Sequence, residues 1–344
     1  MIDKNASLIL VTGGTGFLGS CLLRLLIRKG YKVRALKRSS SPMDLVEEVA
    51  GQVEWVDGDV TDIVALEDAF SGVTYVMHCA AISSFHPRDA ERLAATNVQG
   101  TANVVNMALE TGVQKLVHVS SIAAFGRAKE RPNMDETSRW VQSSGNTRYA
   151  VSKYLSEQEV WRAHAEGLPV AIVNPSVILG SGFWDAGSPR FFTQIDGGLK
   201  FCPVGRSGFV DVRDVAQFML LLLESDISGE RFILNAVNIP FRELFDRIAG
   251  ELGVPPPRIK VTPFLAEVAW RVEWLKEKLL GKEPVVTRES ARSSVSSYSY
   301  DNAKSRSVFG FRYRPLEETI RETAKQYLES KKEGLRAKVL NWEA

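Results

Sequence analysis

Little in this 344-residue chain points to a metal, a membrane or a polyanion. Cys21, Cys79 and Cys202 are its only cysteines, too few and too scattered for a disulfide framework or a zinc site. Cys21 and Cys79 stand in apolar surroundings, where a buried thiol is the expected state. The four histidines, His78, His86, His118 and His164, lack metal-ligand spacing, so no metal is expected. A net charge of +2 does not advertise nucleic acid or an anionic membrane as a partner. No stretch approaches the roughly 20 apolar residues of a transmembrane helix, and the longest apolar run, 218–223, is far too short. The opening MIDKNASLILVTGG holds no apolar run long enough for a secretion signal before its glycines. These absences predict a soluble, cytoplasmic protein of ordinary globular composition, 44% apolar and 24% charged.

What is present is an alternation. Apolar runs at 8–12, 31–36, 53–56, 73–78, 116–120 and 170–174 are separated by segments of helical spacing such as 21–29 and 101–111. Runs that are apolar throughout imply a parallel sheet covered on both faces. The expected fold class is therefore α/β, a Rossmann-type doubly wound parallel sheet with its ligand site beyond the carboxyl ends of the strands. After about residue 178 the rhythm breaks into Gly- and Pro-rich loops, a helix at 241–252 and further helices. The chain divides into a Rossmann domain at 1–178, to which 209–240 returns, and a smaller, mostly helical C-terminal region. That region, 179–208 and 241–344, is expected to bind substrate over the ligand edge. The Lys-rich tail from Lys331 reads as a solvated helix end.

The first strand runs into Thr12-Gly13-Gly14-Thr15-Gly16-Phe17-Leu18-Gly19, with a helix expected from near Ser20. Glycines let backbone N–H groups approach a pyrophosphate, and a helix N-terminus adds its positive dipole end. The Gly13, Gly16, Gly19 spacing departs from G-x-G-x-x-G. It resembles the T-G-x-x-G-x-x-G of the short-chain dehydrogenases, and Phe17-Leu18 after Gly16 is similar to their extended branch, the NAD-dependent epimerase/dehydratase superfamily. The resemblance implies that Thr12, Gly13, Gly16, Phe17, Leu18 and Gly19 bind the cofactor. Gly58-Asp59-Val60-Thr61-Asp62 resembles the family's adenine-binding turn, with Asp59 facing the adenine amine beside Val60; Asp59 alone would read as a helix N-cap, and only the order of the motifs lifts it above that. His78-Cys79-Ala80-Ala81 resembles the strand end behind the cofactor ribose, implicating Cys79, Ala80 and Ala81.

NAD binders usually hold the ribose 2′-OH with an acid about 20 residues past the loop. Here the second strand ends in Lys37-Arg38-Ser39-Ser40-Ser41, with no acid before Asp44. Two cations and hydroxyls suit a 2′-phosphate, Arg38 being the better fork-shaped donor. NADP(H) is favoured, with NAD(H) as the alternative, although an ordinary basic turn would look the same.

Tyr149-Ala150-Val151-Ser152-Lys153 carries a Tyr and a Lys four residues apart, on one face of a helix. That pair gains weight only with Ser121, at the end of the strand that starts at Lys115. The resemblance implies that Tyr149 gives or takes the proton at a carbonyl oxygen while a hydride moves at carbon. Lys153 and the oxidised nicotinamide would lower its phenol pKa, and Ser121 would orient the oxygen, with Ser120 as structural neighbour. Asn97 matches the family residue that kinks its helix and links Lys153 to water; an N-cap is an equal reading. Asn174-Pro175-Ser176-Val177 resembles the segment that holds the nicotinamide carboxamide through Pro175 and Val177, with Asn in place of the usual Arg. The wording here, at 209–216 and at 300–304 is most similar to the dihydroflavonol 4-reductase and 3β-hydroxysteroid dehydrogenase branch.

The expected activity is hydride transfer between a nicotinamide and the carbonyl or secondary-alcohol carbon of a small, apolar or ring-containing substrate. Dehydratases of this fold need an Asp-Glu pair where this chain has Ile122-Ala123-Ala124. Sugar-nucleotide epimerases clamp a diphosphate with an Arg where Ser207 stands, beside Arg206, so epimerisation is disfavoured. A cofactor-sensing regulator would typically lack the Tyr or the Lys. Ser83, Ser84 and Phe85 are placed to touch substrate, and Met134, Trp140, Phe183 and Trp184 are expected to overhang the nicotinamide. A homodimer is expected through a four-helix bundle using Val104, Val105, Ala108 and Leu109 with Val151, Leu155 and Val160. On the helix at 264–280, Phe264, Leu265, Val268, Ala269, Val272, Leu275 and Leu279 gather on a side assigned to the core, with Trp270 and Trp274 opposite.

Overall fold

The computed structural model describes residues 2–4, 6–127, 132–281, 284, 286–340 and 342. Seven strands are β1 (Leu8–Thr12), β2 (Lys32–Lys37), β3 (Glu54–Asp57), β4 (Tyr75–His78), β5 (Lys115–Val119), β6 (Val170–Pro175) and β7 (Glu230–Leu234). They form one parallel sheet in the order β7-β6-β5-β4-β1-β2-β3. Winding reverses between β1 and β4, and sheets of this kind bind ligands outside the strand ends at that point.

Alternate residues of each strand enter different cores, which is why the runs are apolar throughout. Ile9, Val11, Met77, Val117 and Val173 pack under α1 (Phe17–Arg28). Leu10, Val76, Leu116 and Ile172 face α2 (Ile63–Phe70), α3 (Gly100–Glu110) and α4 (Arg148–Ala165). Residues 212–234 return to the sheet as α5 (Val212–Glu224), which packs beside α1, and β7. Residues 209–211 do not: they lie in a separate sheet of Arg206–Asp211, Val177–Leu179 and Val237–Pro240. Over that sheet lies a third core, built around Phe209, Leu244, Phe245, Ile248 and Ile320, under α6 (Phe241–Leu252) and the long C-terminal helix.

α7 (Pro263–Leu280) reverses the sequence expectation. Its apolar stripe faces solvent: Phe264 is 74% exposed, Leu279 73%, Leu275 50% and Val272 46%. The side turned inward carries Ala266, Glu267, Trp270, Glu273 and Glu277. Polar contacts orient the helix. Glu277 pairs with Arg88 and lies 3.5 Å from His86 Nε2. Glu267 accepts from Trp270 Nε1 at 3.0 Å and pairs at 3.0 Å with Arg292 on α8 (Arg288–Ser294). Arg271 and Arg288 both lie over the Trp270 ring, while Trp274, 48% exposed, lies under Lys278.

The tail from Lys331 is the expected solvated helix end as far as residue 336, and only beyond it does the chain pack back. After α9 (Leu316–Glu333) the chain pairs with residues 182–184: Trp184 N donates to the Arg336 carbonyl and Lys338 N to that of Gly182. Leu340 is buried in the α1 core, and Trp342 Nε1 donates to the Cys21 carbonyl at 3.3 Å. The surface proposed for a four-helix bundle is largely used inside the subunit. Val104, Val105, Ala108 and Val160 are buried beneath the sheet, Val151 is half-buried and Leu155 is 43% exposed.

Candidate active site

The glycine loop closes tightly on the end of β4. Gly13 adopts a left-handed φ of 72°, and a Cβ there would come within 2.7 Å of Ala80 N. A Cβ on Gly19 would sit 2.1 Å from the Gly13 carbonyl oxygen, so α1 can press against the loop only with glycine at that place. Gly16 is exposed and forms the N-cap of α1, one turn earlier than the sequence suggested. A pyrophosphate can therefore meet the helix N-terminus and its unpaired N–H groups. Phe17 is half-buried and Leu18 buried.

Thr12 Oγ1 accepts from Ala80 N at 3.2 Å and lies 2.6 Å from His78 Nδ1. Thr101 Oγ1 donates to the Asn97 carbonyl at 2.6 Å, so it accepts from His78 Nε2 at 3.0 Å. That assigns the proton of His78 to Nε2 and leaves Nδ1 to accept from Thr12. Burial, reinforced by Lys153, pushes His78 down to about 3, so the ring is neutral. His118 stacks on it at 5.2 Å and is likewise held neutral, chiefly by burial. Cys79 and Ala80 are half-buried, and Ala81 is exposed beyond them.

At the carboxyl ends of β2 and β3, Lys37 and Asp57 stand opposite each other and form an ion pair. Arg38 follows, exposed, and its side chain makes no hydrogen bond or ion pair among the described residues. Asp59 is not a helix cap. Its Oδ1 accepts from Thr61 N and Oγ1 at 3.0 and 2.8 Å, and Asp62 caps α2. The Val60 side chain is buried, and its carbonyl accepts from Asn103 Nδ2.

Thr147 caps α4 by accepting from Ala150 N at 3.0 Å, which places Tyr149 in the first turn and Lys153 one turn later. The Ser121 hydroxyl lies close enough to the Tyr149 phenol to act on its ionisation. Burial raises the phenol above its ordinary range and the Ser121 hydroxyl opposes the rise; the lowering expected from Lys153 does not appear. Lys153 Nζ donates to the Val119 carbonyl at 2.9 Å. Burial pushes its ammonium down to about 8, against the pull of Cys79 and Glu157. Asn97 lies in a π-helical turn, Ala94–Gln99, and caps nothing. Its amide bonds both backbone groups of Ile82 and donates to Ser152 Oγ at 2.9 Å, reaching α4 beside Lys153 rather than Lys153 itself. Pro175 is buried and Val177 half-buried at the end of β6.

Phe85 meets the Tyr149 ring edge-on, with centroids 6.1 Å apart, and Ser83 is exposed beside it. Ser84 instead donates to Asp89 at 2.6 Å within its own loop. Two of the expected overhanging residues are core. Met134 is packed with Phe125 and Tyr300, and Trp184 is 6% exposed, edge-on to Tyr327. Trp140 stacks on Tyr154 of α4, and Phe183 lies under Arg336.

Residues 9–236 match the NAD dependent epimerase/dehydratase family. A putative dihydroflavonol 4-reductase of Synechocystis sp. is 33% identical over 313 residues, covering 87% of this chain and 88% of that one. Sterol demethylase protein B of Methylococcus capsulatus is 32% identical over 310 residues, covering 88% and 92%. The solved structure of dTDP-glucose 4,6-dehydratase from Streptomyces venezuelae, with NAD bound, aligns at 25% identity with a TM-score of 0.77, over 94% of this chain and 98% of its own. With its glycine loop, parallel sheet and Tyr/Lys helix, the chain belongs to the NAD dependent epimerase/dehydratase family, as an NAD(P)-dependent extended short-chain dehydrogenase acting on CH–OH and C=O groups, in the dihydroflavonol reductase and 3β-hydroxysteroid dehydrogenase branch.

Proposed function

We propose that this enzyme uses NADP(H) and interconverts the ketone or aldehyde and the alcohol of a small, apolar or ring-containing substrate. The observation that carries the cofactor choice is the pairing of Lys37 with Asp57, which neutralises one cation and leaves Arg38 to fork onto a 2′-phosphate. Residues 12–19 would hold the pyrophosphate, and the backbone of Pro175 and Val177 the carboxamide. A nicotinamide held there would supply or take the hydride.

The chain's own groups handle the proton. In reduction the substrate oxygen sits between Ser121 and Tyr149, and Tyr149 gives up its phenol proton as negative charge develops on that oxygen. Lys153 stabilises the phenolate left behind, which Ser121 also favours. Oxidation runs the same path backwards, with Tyr149 as base. Phe85 offers an apolar wall beside the phenol. The ring-bearing compounds in the two relatives' names, a dihydroflavonol and a sterol, agree with that wall. Epimerisation of a sugar nucleotide is less well supported, because Arg206 already donates to the Asn238 carbonyl at 2.6 Å. A panel of ketones, aldehydes and hydroxysteroids, followed by NADPH and NADH absorbance, tests the proposal. We expect turnover of ring-bearing carbonyls with NADPH; turnover confined to sugar nucleotides would overturn it.

A further inference from the structure

Beneath the Tyr149 helix lies a buried carboxylate that the hydride-transfer chemistry does not use. Glu157 stands one turn beyond Lys153 on α4 and is 1% exposed. A carboxylate so placed is costly unless it is paired and hydrogen-bonded. Oε2 accepts from Ser120 Oγ at 2.7 Å and from Asn174 Nδ2 at 2.9 Å. Oε1 accepts from Arg231 Nη1 at 2.8 Å and from Trp161 Nε1 at 3.3 Å. The same Asn174 Nδ2 donates to the Ser121 carbonyl at 3.0 Å. One carboxylate thereby ties the Tyr149 helix to three neighbouring strands, β5 through Ser120, β6 through Asn174 and β7 through Arg231. Arg231 is itself immobilised: it donates to the Glu136 and Ser138 carbonyls and lies 4.3 Å over the Phe125 ring.

We propose that Glu157 and Arg231 are a positioning pair, which sets Ser121 against Tyr149 and Lys153 and keeps the helix's buried charge neutral. The inference rests on the reading of those three residues as the reacting set. It has a geometric consequence and an electrostatic one. Geometrically, losing the pair loosens the Ser120-Ser121 turn, so turnover falls more than cofactor affinity. Electrostatically, an uncompensated carboxylate favours the Lys153 cation and disfavours the Tyr149 phenolate, raising both ionisations. The other groups around Lys153 are Cys79, His78 and His118, and both histidines are neutral. Arg231 is the cation in direct contact with Glu157, whereas Lys153 feels the carboxylate only at a distance.

The test is the pH profile of alcohol oxidation for the unaltered enzyme, Glu157→Gln, Arg231→Met and the double variant. We expect Arg231→Met to move the midpoint of the rising limb up by about one unit and to lower kcat by roughly ten-fold or more, with a smaller change in the KM for NADP. Adding Glu157→Gln should return the midpoint to the unaltered value or below while kcat stays low. An unmoved midpoint in Arg231→Met, with rate and thermal stability falling together, would reduce the pair to a structural tie and overturn the proposal. If Arg231→Met does not fold, Glu157→Gln alone decides: a downward shift supports the pair, and an unchanged midpoint and kcat refute it. Tyr149→Phe serves as the control. Full turnover in that variant would place the failure in the reading of Tyr149 rather than in the pair.

Discussion

Lys37 and Asp57 neutralise each other across the last paired position of β2 and β3, so the cation left at these strand ends is Arg38. The proposed NADP(H) reading therefore gives these two neighbouring basic residues unequal roles. Arg38→Ala should weaken NADPH binding by roughly 10- to 100-fold, the range of a lost charge-assisted hydrogen bond to phosphate, while Lys37→Ala costs much less. Arg38→Asp should reverse the preference towards NADH. Titration of intrinsic tryptophan fluorescence measures all three, and equal losses from Lys37 and Arg38 would contradict the assignment.

The outward stripe of α7 makes a prediction opposite to the one its pattern invites. Leu275→Ser and Leu279→Ser should each change stability by less than about 1 kcal/mol, as exposed positions do. Ile248→Ala on α6, at a fully buried position, should cost about 2–5 kcal/mol. Urea unfolding midpoints compare them directly. Large losses from the two leucines would mean that their face is covered.

Asp214, at the start of α5, supplies a pH dependence of stability. Burial, with Asp211 adding, raises its carboxyl from 3.8 to about 7, against the opposing pull of the Arg314 amide and the nearby guanidinium groups. Between about pH 4 and 7 the folded protein holds a proton that the unfolded chain releases. This group's contribution therefore weakens as pH rises through that window and is restored as pH falls. Asp214→Asn should flatten the change, by a few kcal/mol at most. Melting temperatures from pH 4.5 to 7.5 give the difference, and parallel curves for the two proteins would refute the raised carboxyl.

Much of the candidate site's geometry was legible because its parts are local. The strand, glycine turn and helix at residues 8–28 form one continuous stretch, and Tyr149 and Lys153 share a helix face through spacing alone. What was not legible depends on distant partners. The pattern of α7 marks an apolar side, but its orientation comes from Glu277 meeting Arg88, and no periodicity encodes that pair. Trp184 and Met134 looked like loop residues until Tyr327 and Tyr300 closed over them. Glu157 could have been noticed from its position four residues after Lys153, yet its partner Arg231 lies 74 residues away on another strand. Asn174, where the resembled segment carries Arg, had no evident role until it was seen to share the Glu157 carboxylate with that guanidinium from β7.

The central claim is that Tyr149 exchanges the proton while the nicotinamide exchanges a hydride with a carbonyl carbon. Its most direct measurement is turnover of a carbonyl substrate from the panel with NADPH deuterated at the transferring position, in the unaltered enzyme and in Tyr149→Phe, with the product analysed by mass spectrometry. The account predicts one deuterium on the carbinol carbon of the alcohol and a loss of roughly 10²–10⁴ in turnover for the variant, with cofactor binding nearly intact. An alcohol without the label, or a variant that keeps most of its turnover, would contradict it.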